Sequence, residues 1–170
     1  PNKGFAAASN RGIEAGDREF VLLLNPDAVL HPGALKTLEA TADTNPRAGI
    51  VGALVLDPEG RVQADSYGRF PSLASVTGLH LWRIWQRLRG NRRLSPRPPR
   101  STKPVDWVTG AAMLVRRAAI AEVGPLDEGF FLYYEDVDWC SRMRAAGWEV
   151  LLEPTATVTH HLGGSGAPKT

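Results

Sequence analysis

Apolar positions along this chain recur with two different periods. "FAAASNRGIEAG" (5–16) carries them at helical spacing and closes on Gly16, which predicts a helix with a C-terminal stop. "REFVLLLNPD" (18–27) is a short continuous apolar run ended by a turn signal; its length and its Phe and Val content predict a buried strand. "HPGALKTLEATADTNP" returns to the helical period, with Pro32 near the start and Leu35, Leu38 and Ala42 on one face. "AGIVGALVLDPEG" (48–60) predicts a second buried strand, stopped by the turn Asp57-Pro58-Glu59-Gly60. Strand, helix and strand in that order predict an α/β unit with a parallel sheet. Functional groups in such sheets sit beyond the carboxyl ends of strands, and Asn25-Pro26-Asp27 occupies one such end.

The middle of the chain breaks this pattern. Residues 79–103, "LHLWRIWQRLRGNRRLSPRPPRSTK", combine a dense block of Arg with two Trp and three Pro. Leu81, Ile84, Trp85 and Leu88 share a helical face, and after Gly90 the stretch becomes basic and Pro-rich, so it reads as an insertion, half amphipathic helix and half irregular loop. Regular patterning returns with "VDWVTGAAMLVRR" (105–117), a strand feeding a short helix. "EDVDWCSRMRAAG" (135–147) predicts a helix ended by Gly147, "WEVLLEP" a strand, and "ATVTHH" a shorter strand before a Gly-rich tail.

Composition refines the picture only slightly. With 170 residues, 43% of them hydrophobic and 22% charged, the chain suits one globular domain with a sizeable core. Twenty basic against eighteen acidic residues leave a formal charge of +2, which by itself argues for no polyanionic partner. The Arg-rich stretch reads as one loop and not a face, which argues against nucleic acid. A lone Cys140 excludes an internal disulfide framework. No apolar stretch approaches the roughly 20 residues of a bilayer-spanning helix. The opening "PNKGFAAASNRG" has neither an initiator Met nor a charged leader before an apolar core, so it reads as the middle of a longer chain.

Three places could carry chemistry. Asp27 stands at a strand end, Asp136 near the start of a helix, and His160 and His161 at another strand end. An aspartate and a histidine from two strand termini could hold one divalent ion, since oxygen and imidazole ligands suit manganese or magnesium. A carboxylate beside them could act as a general base. Each has a plainer reading as well. Asp27 could be a turn residue or helix cap, and Glu135 and Asp136 could complement a helix dipole. Paired His residues at a strand end are more often structural. Asp138 stands four residues before Arg142, and there the plain surface ion pair is preferred.

The order of the blocks carries more than any one of them. "NKGFAAASNRGI", "LLLNPDAVL", "DWVTGAAMLVRR", "VGPLDEGFFLYYEDVDWCSRMRAAGW" and "PTATVTHHLGGS" together resemble glycosyltransferase family 2, the inverting enzymes of the GT-A fold, and within it the bacterial rhamnosyltransferase-type members that build cell-wall and surface polysaccharides. The resemblance covers nearly the whole chain and weakens across 79–103. It implies an α/β fold with a mixed, mostly parallel sheet flanked by helices. Residues 1–170 would be the C-terminal two-thirds of the catalytic domain, with the first strand, its helix and the base-reading acidic block lying earlier.

Residue by residue, the resemblance implies that Asn25-Pro26-Asp27 stands where the family has an Asp-x-Asp-type metal motif, with only Asp27 keeping a carboxylate. His160 matches a downstream histidine that completes the metal site (Mn2+ or Mg2+) in some members. Asp136 matches the catalytic base. Gly4, Phe5 and Asn10 match a donor-nucleotide segment, and Trp107, Gly110 and Ala111, with Glu135, the sugar and acceptor pocket. The implied reaction is inverting transfer of a sugar, with L-rhamnose a candidate, from a dTDP- or UDP-sugar to a glycan or polyprenyl-diphosphate-linked acceptor. Phe131, Tyr133 and Tyr134 are expected to wall the sugar pocket and partly desolvate Asp136. A metal-dependent phosphohydrolase and a non-catalytic binding fragment are the alternatives, since Asp and His at strand ends also serve hydrolysis.

The family's lipid-linked acceptors imply work in the cytoplasm at the inner face of the plasma membrane, where Trp82 and Trp85 beside Arg83, Arg87 and Arg89 suit an anionic interface, with contact expected over 79–93. Replacing Arg83, Arg87 and Arg89 together by Glu is therefore expected to release the full-length protein from anionic liposomes; unchanged co-sedimentation would refute the contact.

Overall fold

A computed structural model describes residues 3–63, 66–70 and 98–161. Most of the basic insertion, including the expected membrane-contacting helix, and the Gly-rich tail lie outside the described residues.

The first helix, α1 (Phe5–Ala15), buries Ala6, Ala7, Asn10 and Ile13, spaced as one face of a helix, and ends at Gly16 as expected. Strands β1 (Phe20–Leu24) and β2 (Ala28–Leu30) are separated by the Asn25-Pro26-Asp27 turn. Helix α2 (Ala34–Thr44) starts after Gly33 in a left-handed conformation (φ 83°), two residues after His31. It buries Ala34, Leu38, Thr41 and Ala42, whereas Leu35, expected on that face, is exposed. Strand β3 (Ala48–Leu56) is buried almost throughout, as its unbroken apolar run requires. Two short strands, β4 (Tyr67–Gly68) and β6 (Trp107–Val108), pair with each other, while β5 (Lys103–Pro104) joins the main sheet. The chain closes with β7 (Ala112–Arg116), α3 (Arg117–Val123), α4 (Glu135–Ala145) and β8 (Glu149–His160).

The main sheet runs β1-β7-β3-β8-β2, with β5 also on β8. It is mixed. β3 and β8 pair in parallel; β1 with β7, β3 with β7, β2 with β8 and β5 with β8 are antiparallel. The strand–helix–strand unit predicts parallel strands, and β1 and β3 do run the same way, but β7 enters between them so that they do not touch.

Alternation along the central strands sorts the core to both faces. Ile50, Met113, Val115, Val150 and Leu152 join α1, α3 and α4 residues such as Trp139 and Met143, while Val51, Leu114, Leu151 and Val158 pack with Leu38 and Ala42 of α2. Burial of the Cys140 thiol in the first of these layers pushes its pKa up to about 12, so it is an inert core side chain.

"WEVLLEP" and "ATVTHH", expected as two strands, form the single strand β8. Pro154, which would otherwise interrupt the ladder, falls in a bulge: Ala53 faces Glu153, but Leu54 already faces Thr157. Glu153 secures this bulge from inside. Its buried carboxylate accepts from Thr41 Oγ1 (3.1 Å), the Thr155 amide (2.9 Å) and the Thr102 hydroxyl. Burial would raise its pKa, but the hydrogen bonds from Thr102, Thr155 and Thr41 together hold it below the ordinary glutamate value.

Candidate active site

Every strand end expected to carry chemistry lies at one edge of the sheet. At the end of β1 the Asn25 amide donates to the Ala111 carbonyl (3.1 Å) and the Ala28 amide to the Asn25 carbonyl (3.0 Å), closing the turn that presents Asp27. β2 then pairs Ala28 with His160, and the His161 amide donates to the Asp27 carbonyl (2.9 Å). This register places His160 Nε2 at 3.1 Å from Asp27 Oδ1, with both side chains largely shielded from solvent. Asn25 Nδ2 lies 3.3 Å from the same ring nitrogen. His161 is exposed and joins the turn only through its backbone. Among the described residues no three His, Cys, Asp or Glu side chains gather as a metal cage. Asp27 and His160 offer one hard oxygen and one imidazole nitrogen, a partial set that fits Mn2+ or Mg2+ with the remaining positions left to a ligand.

Asp136 lies in the first turn of α4, where Oδ1 accepts the Val137 amide and Oδ2 the Gly110 amide, each at 2.8 Å. A Cβ on Gly110 would lie 3.1 Å from the Phe5 ring and 3.8 Å from the Asp136 Cβ, so α1, this segment and α4 meet there, and a side chain at 110 would require the Phe5 ring to give by a few tenths of an ångström. Gly4 has φ 93°, and a Cβ there would run into the Phe131 carbonyl, to which the Phe5 amide donates at 3.4 Å. Gly4, Phe5, Gly110, Ala111 and Asp136 are thus one packed group, linked through Ala111 and Asn25 to Asp27 and His160. A cavity of about 370 Å³ lined by Arg47, Asp106, Arg144 and Trp148 lies instead at the amino ends of β3 and β8.

Asn10 is placed differently from the other donor-segment residues. It is 5% exposed, donates through Nδ2 to the Leu126 carbonyl (2.9 Å) and Glu128 Oε1 (3.1 Å), and accepts the Leu126 amide (3.0 Å). Its amide is spent inside the protein holding the 126–128 loop, so any effect on a donor passes through that loop. Trp107 stacks on Gly68 and donates to the Arg69 carbonyl (3.4 Å), in the small second sheet. Asp138 pairs with Arg142 (2.8 Å), as expected, and that guanidinium also caps the Val123 and Pro125 carbonyls.

The aromatic run is a correction. Phe131, Tyr133 and Tyr134 are 61%, 69% and 70% exposed, so they do not form the buried, desolvating wall expected around Asp136. Tyr133 and Tyr134 both adopt left-handed backbone conformations (φ 69° and 71°), which turn the chain outward just before α4 begins. Sequence reasoning missed Gln63, which grips His160 from β3's side: Nε2 donates to the His160 carbonyl (2.7 Å) and Oε1 faces ring Nδ1 (3.2 Å). No local sequence signal marks it, because the contact exists only through cross-strand register.

Over residues 2–168 the chain matches the family described as Glycosyltransferase like family 2. It belongs to that family. It is 38% identical over 178 residues to the N-acetylglucosaminyl-diphospho-decaprenol L-rhamnosyltransferase of Mycobacterium tuberculosis, covering 94% of this chain and 56% of that protein. It is 28% identical to the rhamnosyltransferase WbbL of Escherichia coli, covering 85% of this chain and 53% of that protein. The chain therefore spans a little over half the length of these relatives. Among solved structures it resembles GalNAc-T7 with UDP, GalNAc and Mn2+ (TM-score 0.64, 14% identity, 99% of this chain and 33% of that one). It also resembles the mannosyltransferase PcManGT of Pyrobaculum calidifontis in complex with GDP-Man and Mn2+ (TM-score 0.60, 14% identity, 96% and 38%). The fold is that of the GT-A glycosyltransferases.

In this family 2 chain the desolvated carboxyl is Glu135, beside Asp136. Glu135 is 5% exposed, and its Oε2 has no hydrogen-bond partner among the described residues. Burial, with the neighbouring Asp136 charge adding to it, raises its pKa. The folded protein thus holds this proton more tightly than the unfolded chain. Glu135 favours folding in acid and becomes a penalty as pH rises from the ordinary glutamate range through the raised value. Glu135→Gln in the full-length protein is expected to raise Tm at neutral pH by about 2–4 °C, for roughly 1 kcal/mol, with the gain vanishing below about pH 4. Thermal unfolding across pH checks this; a Tm loss at neutral pH, or a gain independent of pH, would contradict it.

Proposed function

We propose that this chain forms the greater part of the catalytic domain of an inverting glycosyltransferase. It moves a sugar, L-rhamnose, from a dTDP- or UDP-sugar to a polyprenyl-diphosphate-linked glycan in cell-wall or surface polysaccharide synthesis, at the cytoplasmic face of the membrane. The observation that carries the reading is the unbroken run of contacts from Asp136 through Gly110, Ala111 and Asn25 to Asp27 and His160. The mycobacterial relative, named for L-rhamnosyl transfer to a diphospho-decaprenol-linked sugar, supports the choice of donor sugar and acceptor. Among the described residues no helix is long and apolar enough to cross a membrane.

Asp27 and His160 would hold a divalent ion, Mn2+ or Mg2+, together with the donor's diphosphate. When bound, that ion offsets the negative charge gathering on the leaving group. The chain's own part is acid–base and positional. Asp136 takes the proton from an acceptor hydroxyl as that oxygen attacks the anomeric carbon from the face opposite the diphosphate, which inverts the centre. Each carboxylate oxygen of Asp136 accepts one backbone N–H and keeps a further lone pair, so the two amides fix its orientation without occupying it. Gly110 and Phe5 hold α1 against the base, and the Asn10 bonds fix the loop that leads into α4.

Asp136→Asn is expected to lower kcat by about 10²–10⁴-fold while dTDP-sugar affinity changes only a few-fold. Asp27→Ala should instead abolish Mn2+-dependent nucleotide binding, read by calorimetry with and without the ion. Equal loss of binding and turnover in Asp136→Asn would remove the base role. Nucleotide release as fast without acceptor as with it would identify a hydrolase.

A further inference from the structure

We infer that Gln63 is a positioning residue that fixes which nitrogen of His160 carries hydrogen and so readies Nε2 to share a divalent cation with Asp27. The inference rests on the reading of Asp27 and His160 as a metal pair. Gln63 is placed by backbone alone. The Asp57–Gly60 turn reverses the chain after β3, Val62 bridges back to Leu56, and the Gln63 amide donates to the Val55 carbonyl (2.9 Å). Because Leu56 pairs with Thr159 on β8, this anchoring brings Gln63 against His160.

The side-chain chemistry then has one consistent solution. The His160 carbonyl can only accept, so the Gln63 atom 2.7 Å from it is the amide nitrogen. That leaves Oε1, also only an acceptor, at 3.2 Å from ring Nδ1. Turning the amide over would set oxygen against oxygen at the carbonyl. Nδ1 therefore carries a hydrogen, which it donates to Gln63, whether the ring is neutral or charged. In the neutral ring the lone pair falls on Nε2, the nitrogen that faces Asp27 Oδ1 at 3.1 Å and the Asn25 amide at 3.3 Å. Nε2 and Asp27 Oδ1 are then two acceptors 3.1 Å apart, a spacing that one divalent cation bound to both would span in place of the Asn25 N–H that reaches Nε2. Imidazole ligands generally donate their other N–H to such a partner, which fixes ring orientation and raises ligand basicity. One amide here grips both the ring and the main chain of the same histidine.

The experiment has two arms on the full-length protein. In metal-free, 15N-labelled protein at alkaline pH, long-range 1H–15N spectra should show His160 with its hydrogen on Nδ1 in the wild type and on Nε2 in Gln63→Leu. In the second arm Mn2+ is titrated with dTDP present and free Mn2+ is followed by EPR. Gln63→Leu should weaken binding by about 10–100-fold, while Gln63→Glu, which keeps the acceptor for Nδ1 but sets oxygen against the His160 carbonyl, should fall between Gln63→Leu and wild type. Dispersed amide spectra verify that each variant is folded. A wild-type ring carrying hydrogen on Nε2, or Gln63→Leu binding Mn2+ within about twofold of wild type, overturns the inference. Asp27→Ala in the same titration separates the two claims. If it leaves Mn2+ binding unchanged, the metal reading fails, while the tautomer spectra still decide the role of Gln63.

Discussion

Two adjacent residues without bulky side chains, Gly110 and Ala111, tie the site together. The Gly110 amide fixes the Asp136 carboxylate, and the Ala111 carbonyl receives the Asn25 amide that opens the turn to Asp27. A short backbone segment entering β7 therefore sets the spacing between a carboxylate on α4 and a polar pair on β1 and β8. Side chains alone could not do this as rigidly, because backbone donors and acceptors are held by the sheet on one side and by the Phe5 ring on the other. The price is steric: a side chain at 110 needs the Phe5 ring to shift.

The second constraint is register along β8. Three residues, Pro154 to Ala156, are absorbed between the pairs Ala53–Glu153 and Leu54–Thr157. In a period-2 strand a slip of one residue exchanges faces, so the length of this bulge decides which side chain arrives opposite Ala28 and beside Asp27. Glu153, satisfied by three threonines, stabilises the bulge from the buried side. An ionised carboxylate deep in the sheet is thereby part of what delivers His160 to the site, although the two lie seven residues apart.

Much of this was legible in the sequence, for identifiable reasons. Asp27 and His160 stand at the ends of runs that read as strands, and strand ends in α/β sheets face ligands. Gly4, Phe5, Gly110 and Ala111 sit in ordered blocks whose resemblance to family 2 is matched by the fold. What failed depended on long-range pairing. The insertion of β7 between β1 and β3 cannot be read from strand order. Nor can Gln63, which reaches His160 only through the hairpin after β3. The aromatic run was misread because hydrophobicity was taken for burial, whereas two successive left-handed tyrosines turn it to solvent. Asn10 was singled out only by the resemblance of its segment to a donor-nucleotide contact, and its partners, Leu126 and Glu128, lie more than a hundred residues away.

The Asp27–His160 pair and Asp136 belong to the carboxyl-end edge of the sheet, whereas Ala48 and Glu149 pair at the opposite end of the β3–β8 ladder. By strand rise the two edges are roughly 30 Å apart. Paramagnetic broadening of amide signals by Mn2+ bound with dTDP, in the full-length labelled protein, measures this directly. Signals of Asn25, Gly110, Asp136 and His160 should be lost together while those of Ala48 and Glu149 persist. Tight Mn2+–dTDP binding that leaves Gly110 and Asp136 sharp would contradict the shared site.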